Sequence, residues 1–239
     1  MGTRSLPTSE WLITDEHAAE ELALRRQLFT EQRELVFACT PWAEAAAVEA
    51  AELVAAATGD LGDDDHPLVR AGSKVQEDLC LVVPRDGVWL LEAAALCFPS
   101  LWVLGEKMGH PLDMVHEPVA HYAEELSARV DTFFDRLTPD RLVWRRNFSL
   151  WPVLWLWAPR STFGQDFEQS PSEMWIRSER QTLRKLPRTG AILFTIRVQV
   201  TPVTVLKGRP DRARDLGTWL SSPAGAERRQ QLGNASDGL

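Results

Sequence analysis

Residues 174–200 read MWIRSERQTLRKLPRTGAILFTIRVQV, and how this stretch folds decides the rest of the chain. Its first half carries Arg177, Arg180 and Arg184 at spacings of three and four, which a helix would bring onto one stripe. Ile176, Leu183 and Leu186 then fall on an adjoining apolar stripe. Pro187–Gly190 breaks the helix, and Ala191–Val200 alternates from Thr195 onward like a strand with one buried face. A row of guanidinium groups beside a hydrophobic strand suits a flat, apolar, anionic ligand, because Arg grips carboxylates in a fork. The alternative is a solvated basic face paired with Glu173 and Glu179.

Working back toward the N-terminus, Leu142–Trp157 (LVWRRNFSLWPVLWLW) is strand-like, and Pro152 marks it as an edge or bulged strand. Before it, Pro118 can open a long helix running to Leu137, with Leu126, Val130, Phe133, Phe134 and Leu137 on its buried side. Three of the five histidines, His110, His116 and His121, lie just ahead of or within the start of this helix. His116 is flanked by Met114, Val115 and Val119, and a neutral imidazole on an apolar wall suits a haem iron. A structural histidine beside a helix start is the alternative.

Lys74–Val83 and Val88–Phe98, joined by the turn signal PRDG, form a β-hairpin; Glu77 and Asp78 read as a solvated strand edge. A short helix follows in LWVLGEKMG. Asp60–His66 is an acidic loop without the spacing of a calcium site, so it reads as solvated. Two helices precede it, Asp15 to about Phe37 and Trp42 to near Gly59, the second rich in Ala and suited to close packing. Arg209–Leu220 forms a last helix.

These elements describe an α+β chain with a helical extension over 1–60, a ligand-binding domain over 61–220 and a disordered tail over 221–239. Five antiparallel strands with helices inserted after the second give a PAS-like sheet, whose ligand would lie between the inserted helix and the sheet.

The chain has 239 residues, a net charge of −8 and 44% hydrophobic residues, which provides a core and argues against nucleic-acid binding. The cysteines, Cys39, Cys80 and Cys97, are odd in number and lack metal-type spacing; they read as reduced thiols of a cytoplasmic protein. No stretch has the length of a membrane span or the core of a signal peptide. Ten Trp against one Tyr is an unusual ratio; Trp lines pockets as well as filling cores.

Several motifs taken together carry a resemblance: MGTRSL at the start, VQEDLCLV at 75–82, PSLWVLGEKMG at 99–109, VHEPV at 115–119, RRNFSL at 145–150 and RSERQTLRKLPRTGAILFTIR at 177–197. They resemble the α subunit of haem-dependent oxidative N-demethylases. The family pattern has Pro where Ala120 stands and Trp where Phe148 stands. The resemblance implies a PAS-like haem domain that works as an oxygenase. It implies haem b, O2, a small amine substrate and a partner reductase with flavin and iron–sulfur centres. Carried onto this chain, it makes His116 the iron ligand, with His110 and His121 as competitors. Arg177, Arg180, Arg184 and Lys107 become partners of the propionates. Trp144, Trp151 and Trp155 would wall the pocket, and Glu179 or Glu77 would pair with the ammonium. An oligomer is compatible with this reading. The alternatives are a haem or gas sensor without turnover, or a haem-free binding protein of the same fold.

Overall fold

In the computed structural model, which describes residues 3–111, 124–159 and 174–222, the stretch from Trp175 to Pro202 is a β-hairpin. Strand β6 (Trp175–Lys185) replaces the expected helix, and β7 (Ile192–Pro202) follows it. The helix expectation fails because tertiary pairing overrides propensity. β6 is hydrogen-bonded along its length on both sides, from Leu142↔Arg184 to Trp151↔Trp175 with β5 and from Trp175↔Pro202 to Lys185↔Ile192 with β7. The break at Pro187–Gly190 is the hairpin turn. It is closed by the Leu186 amide on the Ala191 carbonyl at 2.8 Å, with Gly190 at φ 73°.

Seven antiparallel strands form one sheet in the order β1-β5-β6-β7-β3-β4-β2. The central five are β3 (Asp78–Arg85), β4 (Val88–Ala95), β5 (Leu142–Trp151), β6 and β7. The two short outer strands, β1 (Arg4–Ser5) and β2 (Phe37–Cys39), come from the N-terminal region and cover the flanking edges. β3 and β4 meet in a two-residue turn at Asp86-Gly87, where both residues have positive φ, 50° and 80°. β5 ends one residue before Pro152.

The expected first helix is divided into α1 (Ala18–Glu31) and α2 (Arg33–Val36), and its last residues become β2. Asp15 lies ahead of α1 and turns the chain, accepting from the His17 amide. Helix α3 (Glu44–Thr58) buries Ala46, Ala47, Ala50 and Ala51. Its buried Glu49 accepts from the amides of Arg188 and Thr189, so the Ala-rich helix is tied to the β6–β7 turn. α4 (Pro67–Gly72) follows. Leu28, Phe29, Val36 and Val54 share one hydrophobic core with Leu79, Leu81, Leu193 and Val198, so the N-terminal helices and the sheet are packed as a unit.

The short helix expected at 101–109 is a 3-10 turn at Leu104–Glu106. Helix α5 (Glu124–Arg136) lies between the second and third of the five central strands. Val130, Phe134 and Leu137 pack on Val82, Trp89, Val143, Leu183 and Ile192. The C-terminal turn of α5 is met by Lys185, whose Nζ donates to the carbonyls of Phe134 and Asp135. α6 (Pro210–Leu220) ends the described chain. Among the described residues no helix is long and apolar enough to cross a membrane.

Candidate functional site

A strand has a period of two, so β6 sends its arginines to opposite faces of the sheet. Arg177, Glu179, Gln181, Leu183 and Lys185 share the face that α5 covers; Arg180, Thr182 and Arg184 point to the face covered by the N-terminal arm. The single basic stripe expected from a helix is thereby split. Each of the three arginines lies over a tryptophan: Arg177 on Trp151 at 4.6 Å, Arg180 on Trp144 at 5.7 Å and Arg184 on Trp11 at 5.2 Å.

On the α5 face, polar side chains form a continuous file across β5, β6 and the loop after β4. Arg145 Nε donates to Gln181 Oε1 at 2.6 Å, and Gln181 Nε2 donates to Glu179 Oε2 at 2.8 Å. Asn147 Nδ2 reaches the same oxygen at 3.2 Å. Ser100 Oγ donates to Glu179 Oε1 at 2.6 Å and accepts from Arg177 Nε at 2.9 Å. Arg177 also donates to the carbonyls of Phe98, Pro99, Trp155 and Leu156. Its buried guanidinium therefore holds two loops against β6. Gln181, Asn147, Arg145 and Ser100 were not singled out from the sequence; the i, i+2 spacing of Arg177, Glu179 and Gln181 is the signal a strand reading would have used.

The opposite face carries a second polar cluster. The buried Arg197 contacts Asp15 at 2.7 Å and Glu21 at 2.8 Å. Gln76 donates to both of these carboxylates. Glu77 accepts from the Ile13 amide at 2.9 Å and is 1% exposed. Asp78 is fully buried with Arg25 at 2.7 Å and accepts from the amides of Cys97 and Phe98. The solvated edge expected at Glu77 and Asp78 is corrected here: β3 is an inner strand between β4 and β7, and the arm closes over its start. Burial pushes the Glu77 carboxyl above the usual carboxylate range. Arg180 donates to the carbonyls of Trp11 and Glu10.

A sequence model of a known family matches residues 55–224, more than half of the chain. Its description is haem-dependent oxidative N-demethylase, alpha subunit-like. The chain belongs to this family. No curated protein matches it.

The family match begins at residue 55, so the N-terminal arm that supplies Trp11, Asp15, Glu21 and Arg25 precedes the matched span. Of the residues expected at an N-demethylase-like site, Arg177, Glu179 and Trp151 are together on the α5 face. Trp155 follows β5; its ring is exposed and its carbonyl accepts from Arg177. Arg180, Arg184 and Trp144 lie across the sheet from them, and Glu77 lies beneath the arm. Lys107 is buried after the 3-10 turn, and His110 sits beside β4, its carbonyl accepting from the Leu91 amide at 3.1 Å. His116 and His121 lie outside the described residues.

A haem needs an axial ligand, an apolar wall and cations for its acid groups. The α5 face offers the partly buried Phe194 and Phe133 as apolar surface and Arg145 as a cation, so its residue types fit that group.

Proposed function

We propose that this chain is a haem-dependent oxygenase that removes methyl groups from a small amine, using O2 and electrons from a partner reductase with flavin and iron–sulfur centres. Family membership supports haem and oxidative demethylation. The observation that carries the reading on this chain is the file Arg145–Gln181–Glu179–Ser100–Arg177 on the face under α5.

Haem b would lie on that face beside the end of the sheet that α5 packs on, the side on which a PAS-like domain holds its ligand. The order β4-β3-β7-β6-β5, with α5 inserted after the second strand, supports the PAS-like reading. His116 is the proposed axial ligand. The chain before it is anchored by the bridge from Leu90 to Pro111, and the chain after it by the packing of α5. When bound, haem supplies the iron that activates O2 for oxidation of the N-methyl group.

The protein's own part is positioning and electrostatics. Glu179 accepts three hydrogen bonds, from Ser100, Asn147 and Gln181. A carboxylate has about four acceptor sites, so one remains for a substrate ammonium. Arg177 fixes the loops at 98–100 and 155–156 that flank this carboxylate. Arg145 and Lys107 are the proposed propionate partners, and Trp151 and Trp155 the proposed aromatic wall. Arg180, Arg184 and Trp144 stabilise the other side of the sheet, and Glu77 takes no part in substrate binding. A cytoplasmic location is supported by Cys39, Cys80 and Cys97 being unpaired.

The test is an absorption spectrum of the isolated protein, oxidised and reduced, followed by formaldehyde release from dimethylamine under a reductant. The expected result is a Soret band that changes in His116→Ala, and turnover whose KM rises about 10- to 100-fold in Glu179→Gln with the Soret band unchanged. Protein that stays colourless with added haemin overturns the reading. Haem binding without formaldehyde leaves a sensor in place of an enzyme.

A further inference from the structure

At the far edge of the sheet, three potential metal ligands from separate elements converge. Cys39 ends β2, Glu44 opens α3 and His66 caps α4. The Cys39 sulfur, a Glu44 carboxylate oxygen and a His66 ring nitrogen all lie within 4.8 Å of one another. We propose that Cys39, Glu44 and His66 form a binding site for one divalent cation of the zinc class, remote from the α5 face.

The ligands are held by their surroundings. Cys39 is fixed by the register of β2 on β4, opposite Ala93, and by the Thr40 amide on the Glu92 carbonyl at 2.8 Å. The His66 ring is packed on Phe37, with centroids 4.7 Å apart. Its Nδ1 accepts from the Leu68 amide at 3.2 Å, and its Nε2 is aimed at Glu44 Oε2, also at 3.2 Å. In the metal-free ring the Nε2 proton bridges to Glu44. A cation takes that place between the two residues, the proton moves to Nδ1, and the Leu68 amide exchanges the ring for solvent. Two hydrogen bonds, Nε2 to Glu44 and the Leu68 amide to Nδ1, are given up for three metal–ligand bonds.

Thiolate, imidazole and carboxylate together select zinc-class ions over magnesium or calcium, and three protein ligands leave a fourth position for water. Access is from solvent, since the Glu44 side chain is 55% exposed. The local field also favours a cation. Arg85 neutralises Glu92 at 2.6 Å, and Arg33, stacked on Phe37, is paired with Asp65. Among the described ion pairs Glu44 has no Lys or Arg partner; it faces only the His66 ring. Two of the three ligands, Cys39 and Glu44, precede the family-matched span. The linear spacing showed none of this, because the cluster is assembled by α4 packing on α3 and by the His66 ring resting on Phe37 of β2.

Loading is balanced as one Zn²⁺ bound and one thiol proton released to solvent. The experiment is a calorimetric zinc titration of the full, chelator-washed protein near neutral pH in two buffers of different ionisation enthalpy. The expected result is one equivalent bound with about one proton released. Cys39→Ser weakens binding at least about tenfold and abolishes the proton release; Glu44→Gln, at an exposed position that does not threaten folding, weakens binding by a similar factor. Absence of a stoichiometric site, or binding and proton release that both variants leave intact, overturns the proposal.

Discussion

Arg197→Met is expected to destabilise the protein by about 3 kcal/mol, the lower end of the cost of orphaning a buried ion pair. The Arg197 side chain is fully buried and its partners nearly so, with Asp15 16% and Glu21 8% exposed. Removing the guanidinium leaves both carboxylates, and the nearby Glu77, without that cation. The loss stays at the lower end because Gln76 still donates to Asp15 at 2.9 Å and to Glu21 at 2.8 Å. For a chain of this size the melting temperature falls by about 6–12 °C. The pH dependence adds a second readout. Burial raises the Asp15 carboxyl, but the Gln76 amide, the Arg197 charge and the His17 amide outweigh it and hold the group at about 2. A pKa depressed in the folded state stabilises the fold above the unfolded value, and that contribution is lost as pH falls from about 4 toward 2. The gap between wild type and Arg197→Met therefore narrows through that window. Urea unfolding followed by tryptophan fluorescence and circular dichroism measures both effects. A loss below about 1 kcal/mol, or a gap that does not change between neutral and acid pH, refutes the view that this cluster fastens the N-terminal arm to the sheet.

Glu77→Gln tests the same cluster from the other side. Burial raises the folded pKa of Glu77, so its ionisation costs stability as pH rises through that value; the variant is expected to gain on wild type with increasing pH in thermal melts, and the proposed demethylation is expected to be unaffected. Gly72→Ala is expected to cost about 1–2 kcal/mol by urea unfolding. A Cβ there would meet Ala95 Cβ and Phe29 Cζ at 3.1 Å, and this overpacking outweighs the gain in helix propensity. Gly87→Ala in the β3–β4 turn is expected to cost about 1–2 kcal/mol, because φ is 80° and only the backbone strain is at issue, nothing lying within 4 Å.

Much of the architecture was legible because it rests on local signals. PRDG marked the β3–β4 turn, Pro187–Gly190 a break in the chain ahead of β7, Gly59 the end of α3 and the apolar pattern around Phe134 the helix α5. Residues 177–185 were misread because RSERQTLRK has good helical propensity and its apolar positions satisfy a helical period. That choice carried the site with it. On a helix, Arg177, Arg180 and Arg184 make one cationic cradle; on a strand, Arg177 joins Glu179 while the other two turn to the arm. Glu77 and Asp78 looked wet for a related reason: adjacent charged residues signal solvent unless distant groups satisfy them, and the Ile13 amide and Arg25 are distant in the chain.

The sequence by itself determined the turns, the secondary elements with a strong period, and membership in a haem-dependent family through ordered motifs. These are properties of neighbouring residues or of residue order. Only the tertiary structure decided which side of the sheet each charge occupies, that Arg25 and Arg197 are sealed inside, and that Cys39, Glu44 and His66 meet. Burial and pairing depend on strand register and on how the arm packs, and no window of sequence contains both partners of those contacts.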